Sequence, residues 1–243
     1  MMDPLSTNRV VAAAQQLATA HHAPYDPSHD IHHVHRVVSL SLLISSTLEH
    51  HIDRLVVILA ALFHDLLDKK YQTVAQTPEE KLAPFWNQFT QHQVSDPQRR
   101  LVERIIANVS YSKEVKRTAT EPDQAWFDSC LELHCVQDAD KLDAIGAFGI
   151  MRCSAYSAIT NRPLFVPSSS SSSFPPAPKS SGSDAISHFH DKLVKLESMM
   201  KTNKGKQLAR SRTARLTTFI DSIQDEWNEV EAGELVLQTK VES

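Results

Sequence analysis

The chain has 243 residues, a formal net charge of −4, 13 His and only 5 Gly. Ordinary usage would supply about 17 glycines, and none precedes Gly146. The first 145 residues therefore hold neither a Gly-rich phosphate cradle nor a dinucleotide-binding turn, and a β-sandwich or barrel would lack its positive-φ turns.

Taken in order, the segments read as helices, so the expected fold is all-α. Residues 6–20 carry an Ala/Val/Leu stripe behind Ser6 or Thr7. After Pro24 and Pro27, Ser28 or Asp30 can cap a helix reaching about His50. Asp53 can cap the next, Arg54 to Leu67, apolar almost all round and so expected at the centre. Thr77-Pro78-Glu79-Glu80 sets a cap, a first-turn Pro and first-turn acids in order. Pro84 should kink or delay that helix. Asp96-Pro97 starts another, and residues 124–158 read as one or two more. Residues 167–183, PSSSSSSFPPAPKSSGS, have the composition of a disordered insertion loop. Beyond it Ser183 can cap a helix to about Met200, and Thr202 a long one ending near Glu231. The flanking helices are too few for a second core, so residues 1–243 are expected to form a single domain.

Cys130, Cys135 and Cys153 form no C-x-x-C pair, which fits reduced thiols. No apolar run reaches membrane-spanning length, and no secretory signal is evident. A soluble cytoplasmic protein is expected, a nuclear one being compatible. Without a basic excess, neither nucleic acid nor membrane is an expected partner. A homodimer is compatible.

Histidines cluster at His29, His32, His33 and His35. Helical spacing puts His29, His32, His33 and Arg36 on one face. His64-Asp65 closes the apolar run Val56 to Phe63, and such a pair is costly to bury unless it is matched or bound to metal. Gln137-Asp138-Ala139-Asp140-Lys141-Leu142-Asp143 again sets three acids in an otherwise apolar helix. Asp138 and Asp140 lie about 200° apart around such a helix, so they cannot both face one ion.

The order Ser28-His29-Asp30-Ile31-His32-His33-Val34-His35-Arg36-Val37, then Leu59 to His64-Asp65, then Gln137 to Gly146 resembles the HD-domain phosphohydrolase superfamily. More narrowly it is similar to a small soluble branch of that superfamily. The resemblance continues through Asn161-Arg162-Pro163-Leu164 and His188-Phe189-His190-Asp191-Lys192-Leu193. It implies an all-α fold around one divalent metal ion held by His33, His64, Asp65 and Asp140. Asp143, one turn from Asp140, would support a ligand. Mixed His/Asp ligation with open positions suits a catalytic Mn, Mg, Fe, Co or Ni ion.

The implied activity is hydrolysis of a nucleotide or a related small phosphorylated metabolite, releasing pyrophosphate or phosphate. Asp68 would orient water or protonate the leaving group, with Lys69 beside it. Arg36, Arg162, His188 and Lys192 are the candidates for holding substrate. The alternative is a non-catalytic helical protein that binds metal and senses a nucleotide. The chain departs from the family where relatives often carry bulky aromatics, at Ile31 and His32, and where a Gly often stands, at Asn161. His21-His22 and His50-His51 read as helix-end or surface residues, and His134 as core.

Overall fold

A computed structural model describes residues 4–67, 76–118, 122–167 and 184–241, and every regular element among them is helical. Asp68, Lys69 and nearly all of the Ser/Pro-rich segment lie outside the described residues. The chain groups into two compact units.

The first unit takes residues 1–25, 29–143 and 200–206. In α1 (Pro4–His22) the fully buried Val10, Ala14 and Ala18 recur every four residues and make one inward stripe. In α2 (Ile31–Ser45) the N-cap carboxylate of Asp30 accepts the His33 N–H at 2.9 Å. That helix stops short of the predicted His50. The hydroxyls of Ser45, Ser46 and Thr47 donate back to the carbonyls of Leu42, Leu43 and Ile44 and compete with the helical ladder.

Asp53 caps α3 (Arg54–Phe63) as predicted, accepting the N–H groups of Leu55 and Val56. Buried along most of its length, α3 packs on α1, α2, α5 (Asp96–Asn108) and α8 (Leu131–Asp143). It ends at Phe63 rather than Leu67, because His64 Nδ1 takes the Ala61 carbonyl at 2.7 Å and the chain turns away. Thr77 and Glu80 form the reciprocal cap of α4 (Pro78–Trp86), which contains Pro84 and stops two residues after it. Ser95 and Gln98 form the same kind of cap on α5. Two short helices, α6 (Tyr111–Lys116), which sequence did not predict, and α7 (Gln124–Ser129), lead into α8.

The second unit takes residues 26–28, 144–199 and 207–243. It holds α9 (Gly146–Ile159), α10 (Ala185–Asp191), a 3-10 segment (Leu193–Met199) and most of α11 (Asn203–Val241). The break between α8 and α9 falls at Gly146, whose φ of 72° disfavours any side chain. Asn161 has a φ of 51°, a region that Asn tolerates better than most residues. Phe189 meets Phe219 at 6.0 Å between ring centroids, and Leu193, Leu196 and Leu216 are buried in the same unit. Asp184 caps α10 through the Ser187 N–H at 2.6 Å, while the predicted cap Ser183 lies outside the described residues. The helix predicted to reach Met200 is divided into α10 and the 3-10 segment, and α11 runs on to Val241.

Candidate metal centre

Three elements of the first unit bring His33, His64, Asp65 and Asp140 together. His33 comes from the first turn of α2, His64 and Asp65 from the turn after α3, and Asp140 from the last turn of α8. Both histidines are buried. Their Nε2 atoms lie 3.2 Å apart. Asp65 Oδ2 stands 3.4 Å from His33 Nε2 and 3.3 Å from His64 Nε2. Asp140 Oδ1 stands at 3.6 and 3.9 Å from the same two atoms. The ligand atoms of His33, His64 and Asp140 fall within 4.8 Å of one another, a spacing that could hold a metal ion.

The far side of each ring explains why its Nε2 is available. His33 Nδ1 donates to Asp143 Oδ2 at 2.7 Å, and His64 Nδ1 donates to the Ala61 carbonyl at 2.7 Å. With hydrogen on Nδ1, each ring presents a lone pair on Nε2. Two lone pairs at 3.2 Å repel unless a proton or a cation joins them. Burial opposes charge on His64, yet Asp65, its hydrogen bond and Asp140 together raise the imidazole pKa to about 9. Asp65 is half-buried; desolvation opposes its ionisation, and His64 and His33 nevertheless hold its carboxyl well below the ordinary carboxylate range. The field at this point favours positive charge. The donor set, two imidazole nitrogens and two carboxylates, fits a divalent cation of intermediate hardness.

The three acids of α8 serve different ends. Asp140 faces the histidines. Asp143, fully buried, holds His33 and also accepts Arg36 Nε at 2.7 Å and Nη2 at 3.0 Å. Arg36 thus braces the ligand shell through Asp143. Asp138 turns away: its carboxylate accepts the N–H groups of Lys201 and Thr202 and the Thr202 hydroxyl. Asp138 is fully buried.

The other substrate candidates lie in the second unit. Arg162 donates to Ser157 Oγ from Nε at 3.0 Å and from Nη2 at 2.7 Å. His188 and Lys192 share the end of α10, where the Lys192 N–H donates to the His188 carbonyl at 3.1 Å.

His21 and His22 stand in the last turn of α1, at the helix end that the sequence suggested. Burial, with His22 and Lys81 adding to it, lowers the His21 pKa to about 4 against the opposing pull of Asp65. His22 is 3% exposed, and its Nδ1 donates to the His29 carbonyl at 2.8 Å. Burial lowers its pKa, and Asp65, His64 and His33 act on its charge. The signal for His22 was present in the sequence: it stands four residues after Ala18 and extends the stripe of Val10, Ala14 and Ala18. His134 is a core residue whose Nε2 donates to the Phe127 carbonyl at 2.7 Å. The three cysteines are free and buried, and desolvation raises the thiols of Cys130 and Cys135 to about 11 and about 12.

No family model matches the chain. YpgQ of Bacillus subtilis is 30% identical over 196 residues, covering 81% of this chain and 83% of that protein. An HD-superfamily hydrolase from Bacillus thuringiensis superposes with a TM-score of 0.67 at 26% identity, covering 91% of this chain and 98% of the other. The structure of YpgQ in complex with ADP superposes with a TM-score of 0.65 at 23% identity, over 91% and 96% of the two chains. With the ordered histidines and aspartates gathered at one point of a helical fold, these likenesses define its class. The chain belongs to the HD-domain phosphohydrolase superfamily. Among the described residues, no helix is long and apolar enough to cross a membrane.

Proposed function

We propose that this protein is a divalent-cation-dependent phosphohydrolase acting on a nucleotide or a related small phosphorylated metabolite, releasing pyrophosphate or phosphate. The observation that carries the reading is the facing pair of His33 and His64 Nε2 atoms, 3.2 Å apart and flanked by Asp65 and Asp140. His33, His64, Asp65 and Asp140 would hold the cation. A cation in such a site lowers the pKa of water and polarises a phosphoryl oxygen.

The protein's own groups supply the order that this chemistry needs. Asp143 and the Ala61 carbonyl fix both rings with Nε2 toward the centre. Asp30 caps the turn that carries His33, and Arg36 holds the Asp143 carboxylate in place. Asp68 would manage the proton of the attacking water or of the leaving group, with Lys69 beside it. Arg162, His188 and Lys192 are the proposed phosphate contacts. The ADP complex of YpgQ supports a nucleotide as the substrate class.

The test is phosphate and pyrophosphate release from a nucleotide panel with Mn, Mg, Fe, Co and Ni. Turnover should require a cation and vanish in His64→Ala and Asp65→Ala. Cation-dependent nucleotide binding without turnover across the whole panel would identify a sensor instead.

A further inference from the structure

A third histidine shares the construction of His33 and His64. The buried stripe of α1 ends on His22, which is 3% exposed. Its Nδ1 is tied to the His29 carbonyl at 2.8 Å, just as His33 is tied to Asp143 and His64 to Ala61. The hydrogen is thereby placed on Nδ1 and the lone pair on Nε2. Among the described residues, nothing hydrogen-bonds that buried Nε2. A buried acceptor without a partner is costly, and native folds keep one where a ligand or water completes it.

The surroundings say which ligand. After the His29 carbonyl, the groups that act on His22 are Asp65, His64 and His33, three of the residues assigned to the cation. The His29 carbonyl that clamps His22 lies four residues before His33, and α1 packs on α3, the helix that leads into the turn of His64 and Asp65. His22 stands outside the tight group formed by His33, His64 and Asp140. Its reach to the cation is through water rather than by direct ligation.

We propose that His22 is a positioning residue of the metal centre, its Nε2 accepting a hydrogen bond from a water in the hydration shell of the cation. This inference rests on the cation reading above. It adds a nitrogen from α1 to a centre otherwise built by α2, the turn after α3 and α8, and it gives one water a fixed orientation. Imidazole suits this task because one nitrogen can be clamped to the backbone while the other accepts.

Two substitutions separate the two nitrogens. His22→Asn keeps a donor near Nδ1 and removes the acceptor at Nε2, whereas His22→Gln keeps an acceptor near Nε2 and removes the clamp. Isothermal titration of the full chain with Mn²⁺ should show His22→Asn binding about 10- to 100-fold more weakly than wild type, with an unchanged thermal midpoint in cation-free buffer. His22→Gln should recover most of the affinity. In wild type, the ¹⁵N resonance of His22 Nε2 should move on titration with Zn²⁺, a readout that survives even if a variant fails to fold. Wild-type Mn²⁺ affinity in His22→Asn, equal weakening in both variants, or a stationary Nε2 resonance would each overturn the proposal. Asp140→Ala separates the two readings. If it abolishes Mn²⁺ binding while His22→Asn binds normally, only the role of His22 fails. If wild type itself binds no cation, both readings fail together.

Discussion

The two polar faces of α8 are built from the same residue types and come out opposite. On one face, Asp138 and Lys141 are buried in a closed network. Asp138 accepts from Lys201 and Thr202, and Lys141 pairs with Glu114 at 2.7 Å, which also holds Lys201 at 2.6 Å. Gly205 is required there, since a side chain at that position would strike the Asp138 carboxylate. On the other face, Asp140 and Asp143 meet histidines whose lone pairs converge. On the first face the charges pair with one another without a ligand. The second balances its charges only with a proton or a cation. Burial of a polar group is therefore not the mark of a site. The mark is burial with the donors and acceptors left out of balance.

That contrast can be broken by substitution. The largest effect is expected for Asp140→Ala, which should lower cation-dependent turnover by more than the roughly 100-fold typical of groups that only support a ligand. Circular dichroism should show the fold retained. Asp138→Ala should do the reverse. It strands two backbone N–H groups and should cost about 3 kcal/mol of stability in urea unfolding, while cation affinity measured on the folded protein stays at the wild-type value. Asp143→Asn is intermediate, because it keeps the shape but weakens the hold on His33. Cation affinity should fall about 10- to 100-fold, measured by titration calorimetry.

The smallest effect is a pH dependence of the closed face. Burial opposes ionisation of Glu114, but Lys141 and Lys201 outweigh it and hold its pKa below the ordinary 4.5. The folded state therefore binds this proton less readily than the unfolded chain does. The stability from Glu114 is fully present above pH 4.5 and is lost as pH falls through the folded value. Urea midpoints measured from pH 7 downward should decline more gently in Glu114→Gln than in wild type. Equal slopes would remove Glu114 from the network.

Much of this was legible from sequence where the physics is local. Asp53 ahead of an apolar run, Thr77 three residues before Glu80, and Thr202 before the last helix are caps that act within one turn, and each is found capping. The 200° between Asp138 and Asp140 is helix geometry, and it correctly sent them in different directions. The end of α3 was misjudged because hydrophobicity says nothing of a histidine ring taking a backbone carbonyl. His22 was passed over because its neighbours in sequence are polar or small, although its spacing along α1 matched the buried stripe.

By itself, the sequence determined the helical class, most helix starts and the identity of the four converging side chains. Spacing, capping and the ordered H, HD and D motifs are properties of neighbouring residues or of the chain's order. Only the tertiary structure decided what each polar residue meets. Arg36, read as a phosphate contact, braces Asp143; Asp138 closes the start of α11; and His22 has its Nδ1 clamped on the His29 carbonyl. Those partners come from residues 7 to 107 positions away in the chain. No local pattern encodes which acceptor will lie within 3 Å of a given nitrogen once the helices have packed.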